Sequence, residues 1–140
     1  MNDTVINKIQ SIQRCVQRAR QEYLSAGESF KYNYTVQDAA ILNVMRACEQ
    51  SIDLADYAIK KRQLGIPTTS AESFELLRQE EVVDPDLAQR LKKMVGFRNT
   101  IIHNIQEVKL EVVKEIIESG LDDLLALTDC IRLHLDDASS

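Results

Sequence analysis

The sequence predicts an all-α fold, an up-down bundle of about five helices, and three observations carry that expectation. Only 4 Gly and 2 Pro occur in 140 residues, about 4% of the chain where roughly 12% is usual. A sheet-rich fold needs turn residues every ~10 positions, so a sandwich or barrel is excluded on supply alone. Apolar residues recur in alternating steps of four and three, the period of a helix face. Helix start and stop residues fall between those runs.

The first stripe is Val5, Ile9, Ile12, Val16, Ala19 and Tyr23, and this helix should end near Gly27. A polar-aromatic link, Glu28 to Tyr34, leads to a second helix capped by Thr35 with Asp38 three residues on. Its stripe is Ile41, Met45, Cys48, Ile52, Ala55 and Ile59. Lys60, Lys61 and Arg62 suit a helix C-terminus, and Gly65 and Pro67 end it. These two helices should pair antiparallel. Ser70 is read as the N-cap of a short helix through Glu80 that turns Phe74, Leu76 and Leu77 inward. Asp84-Pro85 places an N-cap before Pro at the first helical position, opening a fourth helix to about His103. The last helix spans about Leu110 to His134 on Val113, Ile117, Leu124, Leu127 and Ile131, with Gly120 as a point of bending. The whole chain, 1–140, reads as one domain with a frayed tail at 137–140.

With 44% hydrophobic and 28% charged residues the chain has the balance of a globular protein. No run approaches the ~18 apolar residues of a membrane span, and the start lacks a signal-peptide pattern, so no membrane partner and a cytoplasmic location are expected. Cys15, Cys48 and Cys130 are odd in number and widely spaced, which fits reduced, mostly buried thiols rather than a disulfide frame or zinc site. No metal site and no cofactor are expected. Net charge is −5, yet residues 4–21 and 87–106 hold four bases each and no acid, while 107–140 hold nine acids and three bases. The basic segments can form a local phosphate-binding face. Ordinary variation along solvated helix faces explains them as well, and on charge alone is the preferred reading.

The fourth helix is where pattern and polarity disagree. Its stripe runs Leu87, Leu91, Met94, then position 98, then Ile101 and Ile105, and position 98 is Arg. A guanidinium in an inward stripe costs several kcal/mol unless it is paired or placed at a wet interface. Beside it run Lys92, Gly96, Asn99 and His103, with Asn99 and His103 neighbours at i and i+4. Arg, Asn and His can thus converge on one patch. Arg supplies a fork of donors to a scissile phosphate. Imidazole can take or give the proton of a 2′-hydroxyl or a leaving oxygen without a metal. The plainer alternative is an Arg paired with an acid from a neighbouring helix and a His at helix-end carbonyls, and spacing alone favours it. His134 reads as a core-edge or surface residue.

The run Gly96-Phe97-Arg98-Asn99-Thr100-Ile101-Ile102-His103 resembles the Arg-Asn-x3-His signature of HEPN domains. The wider chain is similar to HepT-type toxins of HEPN/minimal-nucleotidyltransferase systems in its Gly65-Ile66-Pro67 break, Phe74 and Leu77, the Leu91/Met94 approach and its length. The resemblance implies an all-α homodimer acting as a metal-independent endoribonuclease at the dimer cleft, neutralised by a nucleotidyltransferase antitoxin with which it can form a larger hetero-oligomer. It implies Arg98 and His103 as catalytic residues and Asn99 as a supporting one; Lys92 and Lys93 are candidates for RNA phosphates. Several resembling toxins carry a Tyr two residues after the His, where the antitoxin attaches AMP. Here that position is Ile105, and no Tyr follows Tyr57. The covalent switch therefore lacks its usual acceptor. A competing reading is a non-catalytic helical dimer that serves as the nucleotidyltransferase's binding partner; a requirement for His103 in RNA cleavage separates the two.

Overall fold

The computed structural model describes the backbone of residues 2–139 and the side chains of residues 2–135. Six α-helical segments follow in order: α1 (Asp3–Ala26), α2 (Tyr34–Arg62), α3 (Ser70–Gln79), α4 (Pro85–Asn104), α5 (Leu110–Glu115) and α6 (Leu121–Ser139). A π turn, Ile116–Gly120, joins α5 to α6, so the bundle has five rods, and no strand occurs among the described residues. Helix α6 reaches Ser139; Ser140, the end of the expected tail, lies outside the described residues.

Helix α1 buries the expected stripe of Val5, Ile9, Ile12, Val16 and Ala19 and ends at Gly27, whose φ of 55° is a left-handed geometry that favours Gly. It pairs antiparallel with α2. At one end Asn2 donates to the Tyr57 hydroxyl (2.6 Å) and Lys8 to Asp53 (2.8 Å). Helix α3 pairs with α4 in the same sense through Lys92–Glu75 and Arg98–Ser70. Helix α6 closes the bundle against α1, α2 and α4.

Three expected caps move, each for a local reason. Asn33, not Thr35, caps α2, because its side-chain oxygen accepts the Val36 N–H while Thr35 already lies inside the helix. The left-handed residue closing α2 is Gln63 (φ 55°) rather than Gly65, with Leu64 N–H returning to the Ile59 carbonyl (3.0 Å). Thr69, not Ser70, caps α3 by accepting the Glu72 N–H (3.1 Å), which leaves the Ser70 hydroxyl uncommitted to the helix start. Asp84 caps α4 as expected, accepting the Leu87 N–H at 2.7 Å.

The buried face of α2 is wider than one stripe. Ala40, Val44, Ala47, Ser51, Leu54 and Ala58 are buried beside Cys48, Ile52, Ala55 and Ile59, whereas Ile41 and Met45 are half-buried. Packed against α1, α3, α4 and α6, α2 is the central rod, and small residues let its neighbours approach. The last rod buries Val113, Ile117, Leu121, Leu124, Leu127 and Ile131. Its π turn frees a carbonyl from the regular ladder, and Arg20 Nε donates to that of Ile117 (3.2 Å). At Gly120 a Cβ would lie 3.4 Å from Met94 Sδ, ordinary contact, so α4 and this rod meet closely there.

Cys15 and Cys48 are buried, Cys130 is half-buried, and all three thiols are free. Burial pushes the Cys48 thiol up to about 12, so it stays protonated. The basic tracts are largely matched by acids on other elements: Lys8 by Asp53, Arg20 by Asp122, Arg90 by Asp123 and Lys92 by Glu75. Arg14, Arg18 and Lys93 are exposed. The two acid-free runs thus serve mainly to tie helices together and do not combine into one unpaired phosphate-binding face. Among the described residues no helix is long and apolar enough to cross a membrane.

Candidate functional site

The site is built on the second half of α4. Leu87, Leu91, Met94 and Ile101 bury the stripe to which position 98 belongs, so the stem of Arg98 is carried inward with them. Its side chain is 16% exposed and its guanidinium meets polar atoms from two other helices. Nη1 donates to Glu49 Oε1 on α2 at 2.9 Å, and Nη2 donates to Ser70 Oγ on α3 at 3.0 Å. Nε is buried and meets no hydrogen-bond partner among the described residues. Nearby in the core, Cys48 and Ile52 of α2, Phe74 of α3, Leu91, Met94 and Val95 of α4 and Leu124 of α6 close around a small void too narrow for water. The Arg98 charge also opposes the upward push on Cys48, which places the guanidinium within electrostatic reach of that thiol.

His103 and Asn99 occupy a different side of the helix. Five residues separate Arg98 from His103, which on an α-helix is a rotation of about 140° and a rise of ~7.5 Å. Asn99 and His103 are exposed, as are Gly96 and, flanking the histidine, Ile102 (52%) and Ile105 (55%). Beyond its own helix backbone and chain neighbours, none of the described residues lies within 4 Å of where a Gly96 Cβ would stand, so the close approach that glycine permits is open toward the outside. No hydrogen bond or ion pair from the described residues engages the imidazole of His103. One chain therefore brings Arg98 together with Glu49 and Ser70, not with His103.

The two candidate phosphate lysines also part company. Lys92 Nζ donates to Glu75 Oε2 (2.6 Å), and Glu75 is shared with Arg78. The Arg78 hydrogen bond, then that of Lys92, holds the Glu75 carboxyl down at about 2. Lys93 instead borders an open groove of about 310 Å³ with Arg90, Phe97, Glu115 and Asp123. His134 is half-buried, and its backbone carbonyl accepts from Arg62 Nη1 (3.2 Å). Among the described residues no three His, Cys, Asp or Glu side chains cluster as a metal ion would require.

Glu49 and Ser70 are the site residues that sequence reading missed. An Arg on an apolar stripe calls for an acid on a neighbouring helix, as the plainer reading had it, and the place of Glu49 next to stripe residue Cys48 is the signal that could have singled it out. Ser70 gave a misleading signal, because a Ser before a helical run reads first as a cap.

A family described as Ribonuclease HepT-like matches residues 6–131 of the chain. The mRNA nuclease HepT of Shewanella oneidensis is 43% identical over 132 residues, which cover 94% of this chain and 98% of that protein. The fold is similar to that of a tri-AMPylated Shewanella oneidensis HEPN toxin solved in complex with an MNT antitoxin, with a TM-score of 0.89 and 42% identity over 95% of this chain and 99% of that one. A toxin–antitoxin structure with AMP-PNP gives a TM-score of 0.87 and 43% identity over 94% of this chain and 99% of its own.

Proposed function

From the premise that the chain belongs to the HepT-like ribonuclease family, we propose that it is the toxin of a toxin–antitoxin pair. It is an endoribonuclease that cleaves RNA without a metal in a cleft between two copies, and a nucleotidyltransferase antitoxin neutralises it in the cytoplasm. One observation carries the catalytic part. Arg98 is fixed on the inner side of α4, while His103, five residues on, stands unengaged on an exposed side flanked by Ile102 and Ile105.

In this reading the exposed side of α4 packs against a second copy, and each chain offers His103 across the two-fold axis toward its partner's Arg98. The guanidinium stabilises charge building on the phosphate oxygens. One imidazole takes the 2′-hydroxyl proton as the 2′-oxygen bonds to phosphorus; the other returns a proton to the departing 5′-oxygen as the P–O5′ bond breaks. The products are a 2′,3′-cyclic phosphate and a free 5′-hydroxyl. Asn99, on the same side as His103, supports the patch through its amide.

The test is cleavage of a labelled RNA in EDTA by the full chain and by His103→Ala. The parent is expected to cleave and the variant to lose ~10²-fold or more with its fold intact, the scale of a lost acid–base group. Abolition by EDTA, or normal cleavage by His103→Ala, overturns the mechanism. A parent chain that leaves RNA uncut returns the protein to the role of a non-catalytic partner for the nucleotidyltransferase.

A further inference from the structure

We propose that Glu49 and Ser70 are positioning residues for Arg98, and that the guanidinium acts on RNA from the pose these two hold rather than after release from them. The inference rests on the ribonuclease reading and adds two residues to its site.

An arginine has five N–H donors in one plane. Here one hydrogen of Nη1 goes to Glu49 and one of Nη2 to Ser70, and Nε–H is buried. That leaves one hydrogen on each terminal nitrogen. Those two are the donors that the guanidinium keeps to offer to phosphate oxygens. Because the two acceptors stand on different helices, α2 and α3, they fix the plane against rotation about the end of the side chain; one acceptor alone would leave it free to swing.

A purely structural role explains the contacts poorly. Glu49 is 45% exposed, and an ion pair so open to water contributes little to stability. The Nε–H, buried without a partner among the described residues, works against stability. An arrangement that gains little by holding Arg98 and gives up a hydrogen bond to do so fits a group oriented for work. The polarity of the two acceptors suits it too. Ser70 is neutral, and the charge of Glu49 is screened by solvent, so the guanidinium keeps a net attraction for phosphate.

The experiment is single-turnover RNA cleavage by the full chain with Glu49→Ala, Glu49→Gln and Ser70→Ala, alongside thermal unfolding. Misplaced catalytic groups cost in kcat, so Glu49→Ala and Ser70→Ala are each expected to lower kcat ~10-fold or more with KM within about twofold. Their pH profiles should keep the parent's midpoint. Glu49→Gln retains an oxygen acceptor and is expected to keep most of the activity. Side-chain NMR of ¹⁵N-arginine protein supplies a readout without turnover: the Arg98 Nη–H signals, identified by their absence in Arg98→Ala, should move to the free-arginine position in Glu49→Ala. Parent-like kcat and unmoved signals in Glu49→Ala and Ser70→Ala overturn the inference while leaving the ribonuclease reading intact. So does faster cleavage by Glu49→Ala and Glu49→Gln together, which makes the carboxylate a competitor that RNA must displace. A parent chain that leaves RNA uncut fails the ribonuclease reading itself.

Discussion

Replacing Arg98 with Lys keeps one positive charge on a long stem and removes the fork. The ammonium is a single nitrogen, whereas Glu49 Oε1 and Ser70 Oγ are held by two different nitrogens of Arg98 at 2.9 and 3.0 Å. Lysine can satisfy one of those acceptors and then points its remaining hydrogens wherever that contact dictates. For catalysis, removing a fixed donor to developing oxyanion charge costs ~10²–10³ in kcat, about 2.7–4 kcal/mol. Retained charge puts Arg98→Lys at the lower end, ~10²-fold or about 2.7 kcal/mol.

Stability should respond far less. The Arg98–Glu49 pair, with Glu49 45% exposed, is worth roughly 0–1 kcal/mol, and lysine keeps much of it. The lysine stem still lies along the apolar stripe of α4, and the unpartnered Nε–H disappears with the guanidinium. A net loss of about 1 kcal/mol lowers Tm by ~3–4 °C in a chain of this size. The assay is single-turnover cleavage of end-labelled RNA in EDTA, with thermal unfolding of the same samples. Cleavage within threefold of the parent would show that charge alone suffices and the fork is unused. A fall in Tm beyond ~10 °C would show that Arg98 is a structural strut, and the division between activity and stability drawn here would be wrong.

Three further outcomes follow from the same geometry. Sedimentation at micromolar concentration should give a dimer, and hybrid dimers of parent and His103→Ala chains should lose most of the activity, because their cleft holds one imidazole where the reaction uses two; a monomer, or a hybrid as active as the parent, counts against the composite site. With a cognate nucleotidyltransferase, Mg²⁺ and ATP, the chain should gain no AMP between residues 98 and 106, since Ile105 is hydrocarbon, Asn104 a poor nucleophile, and the Thr100 hydroxyl sits on a short, stiff side chain and donates to the Gly96 carbonyl (3.1 Å), and Ile105→Tyr should restore the adduct; intact mass and peptide mapping decide it, and an adduct on the parent in that segment refutes it. Glu75 has its folded value lowered to about 2 by Arg78 and Lys92, so its contribution is present above the unfolded carboxylate value of roughly 4.3 and is lost as pH falls toward 2. Tm should therefore drop less steeply between pH 5 and pH 2 in Glu75→Gln than in the parent, and parallel curves would show that the pairing carries no linkage.

How far the sequence reveals the molecule varies with the range of the interaction. Helices α1 and α4 follow from their own residues, because a one-sided helix writes its buried face in its period and its start in its cap. The central helix is less legible. Ala40, Ala47, Ser51 and Ala58 are small and weakly apolar, and their burial depends on how many neighbours surround α2 rather than on their own hydrophobicity. The caps at Asn33 and Thr69 were missed by one or two residues, since each stands beside another residue able to cap. Arg98 and His103 are visible as a polar interruption with helical spacing. Their surroundings are not: Glu49 is 49 residues from Arg98 and Ser70 is 28, and only the packing of α2, α3 and α4 brings them together.

The spacing of Arg98 and His103 divides the work between folding and assembly. Four residues would set the two side chains one above the other on a single face. Five turn them about 140° apart, so no rotamer choice within one straight helix makes them meet on a single face. The arginine faces its own chain, where α2 and α3 supply acceptors as the bundle forms. The histidine faces outward between Ile102 and Ile105, beside an uncrowded Gly96. On the proposed mechanism, a lone chain completes the arginine half of the site by folding and leaves the histidine half for a partner to complete. Any ligand that covers the exposed side of α4 would block activity without touching Arg98, and for that route a modifiable side chain at position 105 is not required.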